Sequence, residues 1–125
     1  MKRFFALLAA LLLLPVSALA APGDMSVAIF LAKAEALQAK GVTAMFSSDV
    51  GMLKSEGKAA GQQYKARLQA EKAQGRPSSC PPPGVKINSD ELLAFLRTYP
   101  PAARPRVSMK QAMADYFIKK YPCRK

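Results

Sequence analysis

Two cysteines and eight carboxylates are the side chains with the most chemical reach in this 125-residue chain, which contains no histidine. Without histidine, a Ser-His or Cys-His nucleophile system is excluded. Two cysteines alone cannot complete a tetrahedral nitrogen/sulfur metal site. Cys80 lies in SSCPPPGV and Cys123 in KKYPCRK. With only two thiols, an internal disulfide has one connectivity. In an oxidising compartment the expectation is a Cys80–Cys123 bond, against two free thiols or an intermolecular bridge. It would close a loop of about 44 residues and contribute on the order of 4 kcal/mol through chain entropy.

The carboxylates point away from catalysis. Asp24, Asp49 and Asp90 fall at expected helix starts, where a negative charge meets the positive end of the helix dipole. Glu35, Glu56, Glu71 and Asp115 read as solvent-face charges. No glycine-rich phosphate loop follows a strand. The expectation is a protein that is not an enzyme and has no cofactor or metal.

Positioning comes from helices. The chain opens MKRFFALLAALLLLPVSALA: a basic start, an apolar run from Phe4 to Leu14, then Ala18-Leu19-Ala20. That is the pattern of a cleaved signal peptide over residues 1–20, leaving one helical domain over 21–125 and a periplasmic location. Setting Lys2 and Arg3 aside leaves 17 basic against 8 acidic residues, a net +9. Such a field favours an acidic partner or an anionic surface. Export argues against nucleic acid, as do aromatic residues at core spacing rather than among the basic ones. No later stretch is apolar enough for a stable membrane insertion.

Apolar periodicity predicts four helices and no strand, an all-α four-helix domain with one disulfide. The first carries the stripe Val27, Phe30, Leu31, Ala34 and Leu37, capped by Asp24 or Ser26 and stopped by Gly41. VTAMF then reads as a short turn tucked into the core. The second, long helix starts at Ser47 or Ser48, with Gly57 and Gly61 reading as a close helix crossing. NSDELLAFLRTYPP gives the third, with Asn88 and Glu91 resembling a capping box. SMKQAMADYFIKKYPC gives the fourth, with Ser108 and Gln111 as a second box. An antiparallel pairing of the last two helices would place Cys80 and Cys123 at one base.

Binding is the function that composition leaves open. The candidate surfaces are the basic face of the second helix, with Lys58 and Lys65, and the turn TYPPAARPR with the residue before it, giving Arg97, Tyr99, Arg104 and Arg106. Arginine and tyrosine are frequent interface anchors, and proline limits the entropy lost on docking.

The C-terminal half, CPPPGVKINSDELLAFLRTYP followed by a helix and KKYPC, resembles the Rap/Tai-type immunity proteins of type VI secretion. The resemblance rests on Cys80 to Val85, Leu92 to Leu96, Tyr99-Pro100 and Tyr121-Pro122-Cys123, and covers about 45 residues. It implies a small helical periplasmic protein that binds and inhibits a peptidoglycan amidase toxin by occupying its active-site cleft. Members commonly carry a further cysteine in a Cys-x-x-Tyr-like context, where this chain has Gly61-Gln62-Gln63-Tyr64. The expected partner is a secreted peptidoglycan hydrolase with an acidic rim; a homodimer is compatible with the sequence. The alternatives are a chaperone-like or an anionic-polymer-binding stress protein. Few carboxylates and no histidine leave little to titrate between about pH 7 and pH 4 for an acid-triggered chaperone.

Overall fold

Ser26 starts the first helix. Its Oγ accepts the Ile29 N–H at 3.2 Å, and α1 (Val27–Lys40) follows. The structure is a computed structural model describing residues 21–124; the expected signal peptide, residues 1–20, lies outside them. Val27, Phe30, Leu31 and Ala34 bury the expected stripe. Gly41, at φ 59°, ends the helix in a conformation that glycine adopts without steric cost.

The next residues, Gly41–Phe46, wind into a 3-10 turn, but not a buried one. Val42, Met45 and Phe46 are 82, 81 and 93% exposed, which corrects the expectation of a tucked turn. The turn is the outer corner where the chain reverses. Asp49, at the start of the next helix, pairs with Lys33 in the middle of α1 at 3.1 Å. Among the described residues nothing covers these three side chains.

α2 (Ser48–Ala73) spans 26 residues, close to 39 Å at the α-helical rise. The Ser47 hydroxyl caps it by accepting the Asp49 N–H at 3.3 Å. Ala60, Tyr64 and Leu68 bury its inner face together with Glu56. Glu56 is not a solvent-face charge as expected. Its Oε1 accepts the Met25 N–H at 2.8 Å, fixing the lead-in to α1 against α2. That lead-in also pairs with the lead-in to the last helix. Val27 donates to Val107, Met109 to Met25 and Lys110 to Gly23, at 2.8, 2.8 and 2.9 Å. The result is one antiparallel bridge between Ser26 and Ser108, the two residues that cap these helices.

α3 (Ser89–Leu96) begins at Asn88, whose Oδ1 accepts from Asp90 and Glu91 at 2.9 and 3.1 Å. α4 (Met109–Lys120) begins at Ser108, which accepts from Gln111 at 3.2 Å. Neither side chain expected to complete a capping box returns to its cap. Glu91 accepts from Lys120 and Tyr116, which α4 brings within reach, and Gln111 donates to Asp115 one turn on in its own helix. Leu96, Met109 and Met113 are the largest fully buried side chains of the core, at 0, 0 and 1% exposure.

Among the described residues the fold is all-α with four helices and one disulfide, Cys80–Cys123, with Cα atoms 4.9 Å apart. Its setting differs from the expected hairpin base. α4 packs most extensively on α2 and only lightly on α3. The bond therefore ties the α2–α3 connector to the end of α4, with the Cys80 N–H donating to Tyr121 at 2.7 Å.

Replacing both cysteines by serine should lower unfolding free energy by up to about 4 kcal/mol, read as a lower urea midpoint. An unchanged midpoint would show that the clamp adds nothing. Glu56→Ala should cost about 2 kcal/mol, since a charge-assisted bond is lost and the Met25 N–H is left without its acceptor. Glu56→Gln, which keeps an acceptor oxygen, should cost less in the same titration.

Candidate interaction surface

The connector after α2 is proline-rich, which removes backbone donors and stiffens the chain. What holds it in place is a set of side chains from the last turns of α2. Gly75, at φ 71°, reverses the chain, and Arg76 donates back to the Glu71 carbonyl at 2.9 Å. Glu71 Oε1 accepts both the Ser78 N–H at 3.0 Å and the Ser78 hydroxyl at 2.5 Å. The buried Tyr64 hydroxyl is hydrogen-bonded with Ser78 and Ser79 at 2.9 and 2.6 Å. Ser79 is fully buried. Cys80 is then tied to α4 by its amide and its sulfur. The run Pro81-Pro82-Pro83-Gly84-Val85 thus stands as a fixed wall beside α2.

Two hollows open along α2. One, of about 540 Å³, lies between the helix and the proline wall, lined by Gly61, Tyr64, Leu68, Pro81–Val85 and Phe117. The other, about 470 Å³, lies between α1, α2 and α3 and is strongly apolar, lined by Phe30, Leu37, Leu53, Leu92 and Met113. They share Gly57, Lys58 and Ile87, so they form one trough divided at Ile87. The expected close crossing of another helix at Gly57 and Gly61 is not present. A Cβ at Gly57 would meet nothing within 4 Å, and one at Gly61 would meet only Ile87 Cδ1, at 3.7 Å.

Lysines border the trough: Lys54 and Lys58 at the apolar hollow, then Lys58, Lys65 and Lys72 beside the proline wall. All four are exposed, and among the described residues none takes part in an ion pair. The spacing of seven from 58 to 65 to 72 is the sequence signal for a single edge of a helix. The other half of the trough, built from the distant proline run, carries no local signal.

The second candidate surface has a different character. Arg104 donates from Nε to the Tyr99 carbonyl and from a terminal nitrogen to the Arg97 carbonyl, each at 2.9 Å. It satisfies carbonyls left open where α3 ends. Arg97 reaches α1, at 3.7 Å from Glu35 and 3.3 Å from Gln38. The Tyr99 hydroxyl donates to Asp115 at 2.5 Å, and burial with that carboxylate pushes its pKa above the usual tyrosine range. Arg106 stays exposed, with one long bond of 3.4 Å to the Ala102 carbonyl. Lys58 and Lys65 therefore share one edge, while all four turn residues bond within the molecule, Arg106 by its one long bond alone.

The carboxylates are likewise in structural use. Besides Glu56 and Glu71, Asp24 pairs with Lys110 at 2.6 Å. Glu91 pairs with Lys120, whose ammonium lies 5.5 Å from the Tyr116 ring centroid. The Ser78 hydroxyl, partly offset by desolvation, holds Glu71 below the ordinary carboxylate value of 4.5. Lys120 and then Tyr116 do the same for Glu91. A depressed folded-state pKa gives stability that is present above the unfolded value and lost as pH falls through the folded one. Thermal midpoints should therefore fall as pH drops below 4.5. Glu71→Gln should lower the midpoint at neutral pH and flatten this acid slope; an unaltered slope would mean that Glu71 does not hold the connector.

No protein-family model, curated protein or solved structure matches the chain.

Proposed function

We propose that the protein is an exported immunity protein that binds and inhibits a peptidoglycan amidase toxin of type VI secretion. The observation that carries the reading is the basic edge of α2 leading to an apolar corner. Val42, Met45 and Phe46 stand almost fully exposed on a short turn between two helices, and α2 runs on from that turn with its lysine border. Solvated apolar side chains grouped in this way mark interaction sites. A protruding apolar corner suits insertion into an enzyme cleft, and the lysines suit an acidic rim around it.

Further support comes from the resemblance of residues 80–123 to immunity proteins and from the Cys80–Cys123 bond, which suits an oxidising compartment. Among the described residues no helix is long and apolar enough to cross a membrane. In this reading the protein acts by occupancy. The apolar corner anchors, the lysine edge steers, and the clamped helices keep the ordering cost of docking low.

Oxidised protein used as bait on envelope and secreted fractions should recover one stoichiometric cell-wall hydrolase, whose activity it then suppresses. The association rate should fall as salt rises. A Met45→Ala/Phe46→Ala variant should fold normally, since both side chains are exposed, and should bind that hydrolase at least about tenfold more weakly. Recovery of many unrelated proteins, or of none, would contradict the reading and favour a chaperone-like or polymer-binding role.

A further inference from the structure

We propose that the apolar hollow between α1, α2 and α3 binds a single-chain anionic amphiphile: an acyl chain in the hollow, with its carboxylate or phosphate held by Lys54 and Lys58. This goes beyond the inhibitor reading, because it requires no protein partner.

The first observation is the size and lining of the hollow. At about 470 Å³ it falls in the range of small-molecule sites. Its walls are aliphatic or aromatic, from Phe30 and Leu37 on α1, Leu53 on α2, and Leu92 and Leu93 on α3. The lining runs from Val50 to Lys58, about 12 Å along α2 at the helical rise. A flexible hydrocarbon suits such a trough, which has few hydrogen-bonding groups to satisfy.

The second observation is Gly57. Glycine inside a helix costs about 1 kcal/mol relative to alanine. Here no neighbouring backbone needs the space, since nothing lies within 4 Å of where a Cβ would stand. The missing side chain leaves the floor of the hollow open instead.

The third observation is charge. Lys54 and Lys58 flank Gly57 on the lining, both exposed, and among the described residues neither forms an ion pair. They lie four residues apart, where like charges on a helix repel and destabilise it. One anionic group placed between them would relieve that repulsion while its chain fills the apolar floor. The other polar lining residue, Ser89, is neutral, so the two ammonium groups set the sign of the headgroup.

The test is isothermal titration of oxidised residues 21–125, the span holding the whole described core, with dodecanoate below its micelle concentration. Parallel arms use dodecyl phosphate, dodecanol, dodecyltrimethylammonium and phosphatidylglycerol vesicles. Dodecanoate and dodecyl phosphate should bind one per chain, each at least about tenfold tighter than the cationic probe. Gly57→Met, which fills the hollow, should weaken both at least about tenfold while its thermal midpoint holds or rises. Lys54→Gln/Lys58→Gln should weaken the anionic probes and leave dodecanol unchanged. Equal binding of the anionic and cationic probes, or full binding by Gly57→Met, would overturn the proposal. So would binding to vesicles alone, unaffected by Gly57→Met, which would show surface attraction rather than an occupied site.

Discussion

The attachment of the proline connector to α2 and α4 is the constraint on which the surface of this protein depends. A run of three prolines makes no helix and contributes no backbone donor. Left alone it would be a loose bridge between two helices. Here Glu71 and Tyr64 hold Ser78 and Ser79 at one end, and the amide and sulfur of Cys80 hold the next residue to α4. A stiff segment fixed at one end acts as a wall. That wall converts one side of α2 from an exposed basic face into a trough with an apolar floor and a lysine border.

The same economy of polar groups governs the rest of the fold. The lead-in segments to α1 and α4 would each leave backbone groups unsatisfied beside a buried core. They pair with each other instead, and Glu56 takes the amide of Met25. Open carbonyls at the end of α3 are taken by Arg104. Asp115 and Glu91 receive the hydroxyls of Tyr99 and Tyr116. The aromatic rings of Tyr64, Phe117, Tyr116, Phe95 and Tyr99 then follow one another at 5.3 to 5.6 Å across α2, α4 and α3. Acidic groups are few and nearly all occupied, so the positive field of the chain is concentrated on residues with no internal partner.

Local patterns made the helices legible. Ser26, Ser47, Asn88 and Ser108 all cap where their spacing to the following apolar stripe places them. The disulfide followed from there being only two cysteines. What was not legible depends on which elements meet. VTAMF has core-like residues, but its exposure depends on the chain reversing where, among the described residues, no third element covers it. Glu56 looks like any helix-surface glutamate until Met25 arrives from 31 positions away. Gly57 and Gly61 suggest a crossing by composition, whereas α4 lies along the face of Ala60, Tyr64 and Leu68. In the same way, TYPPAARPR has the residue types of an interface, yet Arg104 closes the end of α3 and Tyr99 bonds to Asp115 on α4.

The proline wall stands beside α2 only while Ser78 and Cys80 hold it to α2 and to the end of α4, and native-state hydrogen exchange tests this attachment most directly. The informative amides are Ser78, which donates to Glu71, and Cys80, which donates to Tyr121. In the oxidised protein they should exchange as slowly as amides in the middle of α2 and α4, and should open well before those helices once the disulfide is reduced. Rapid exchange of both amides in the oxidised protein, at the rate of an unstructured loop, would contradict the account and leave α2 as an ordinary solvated face.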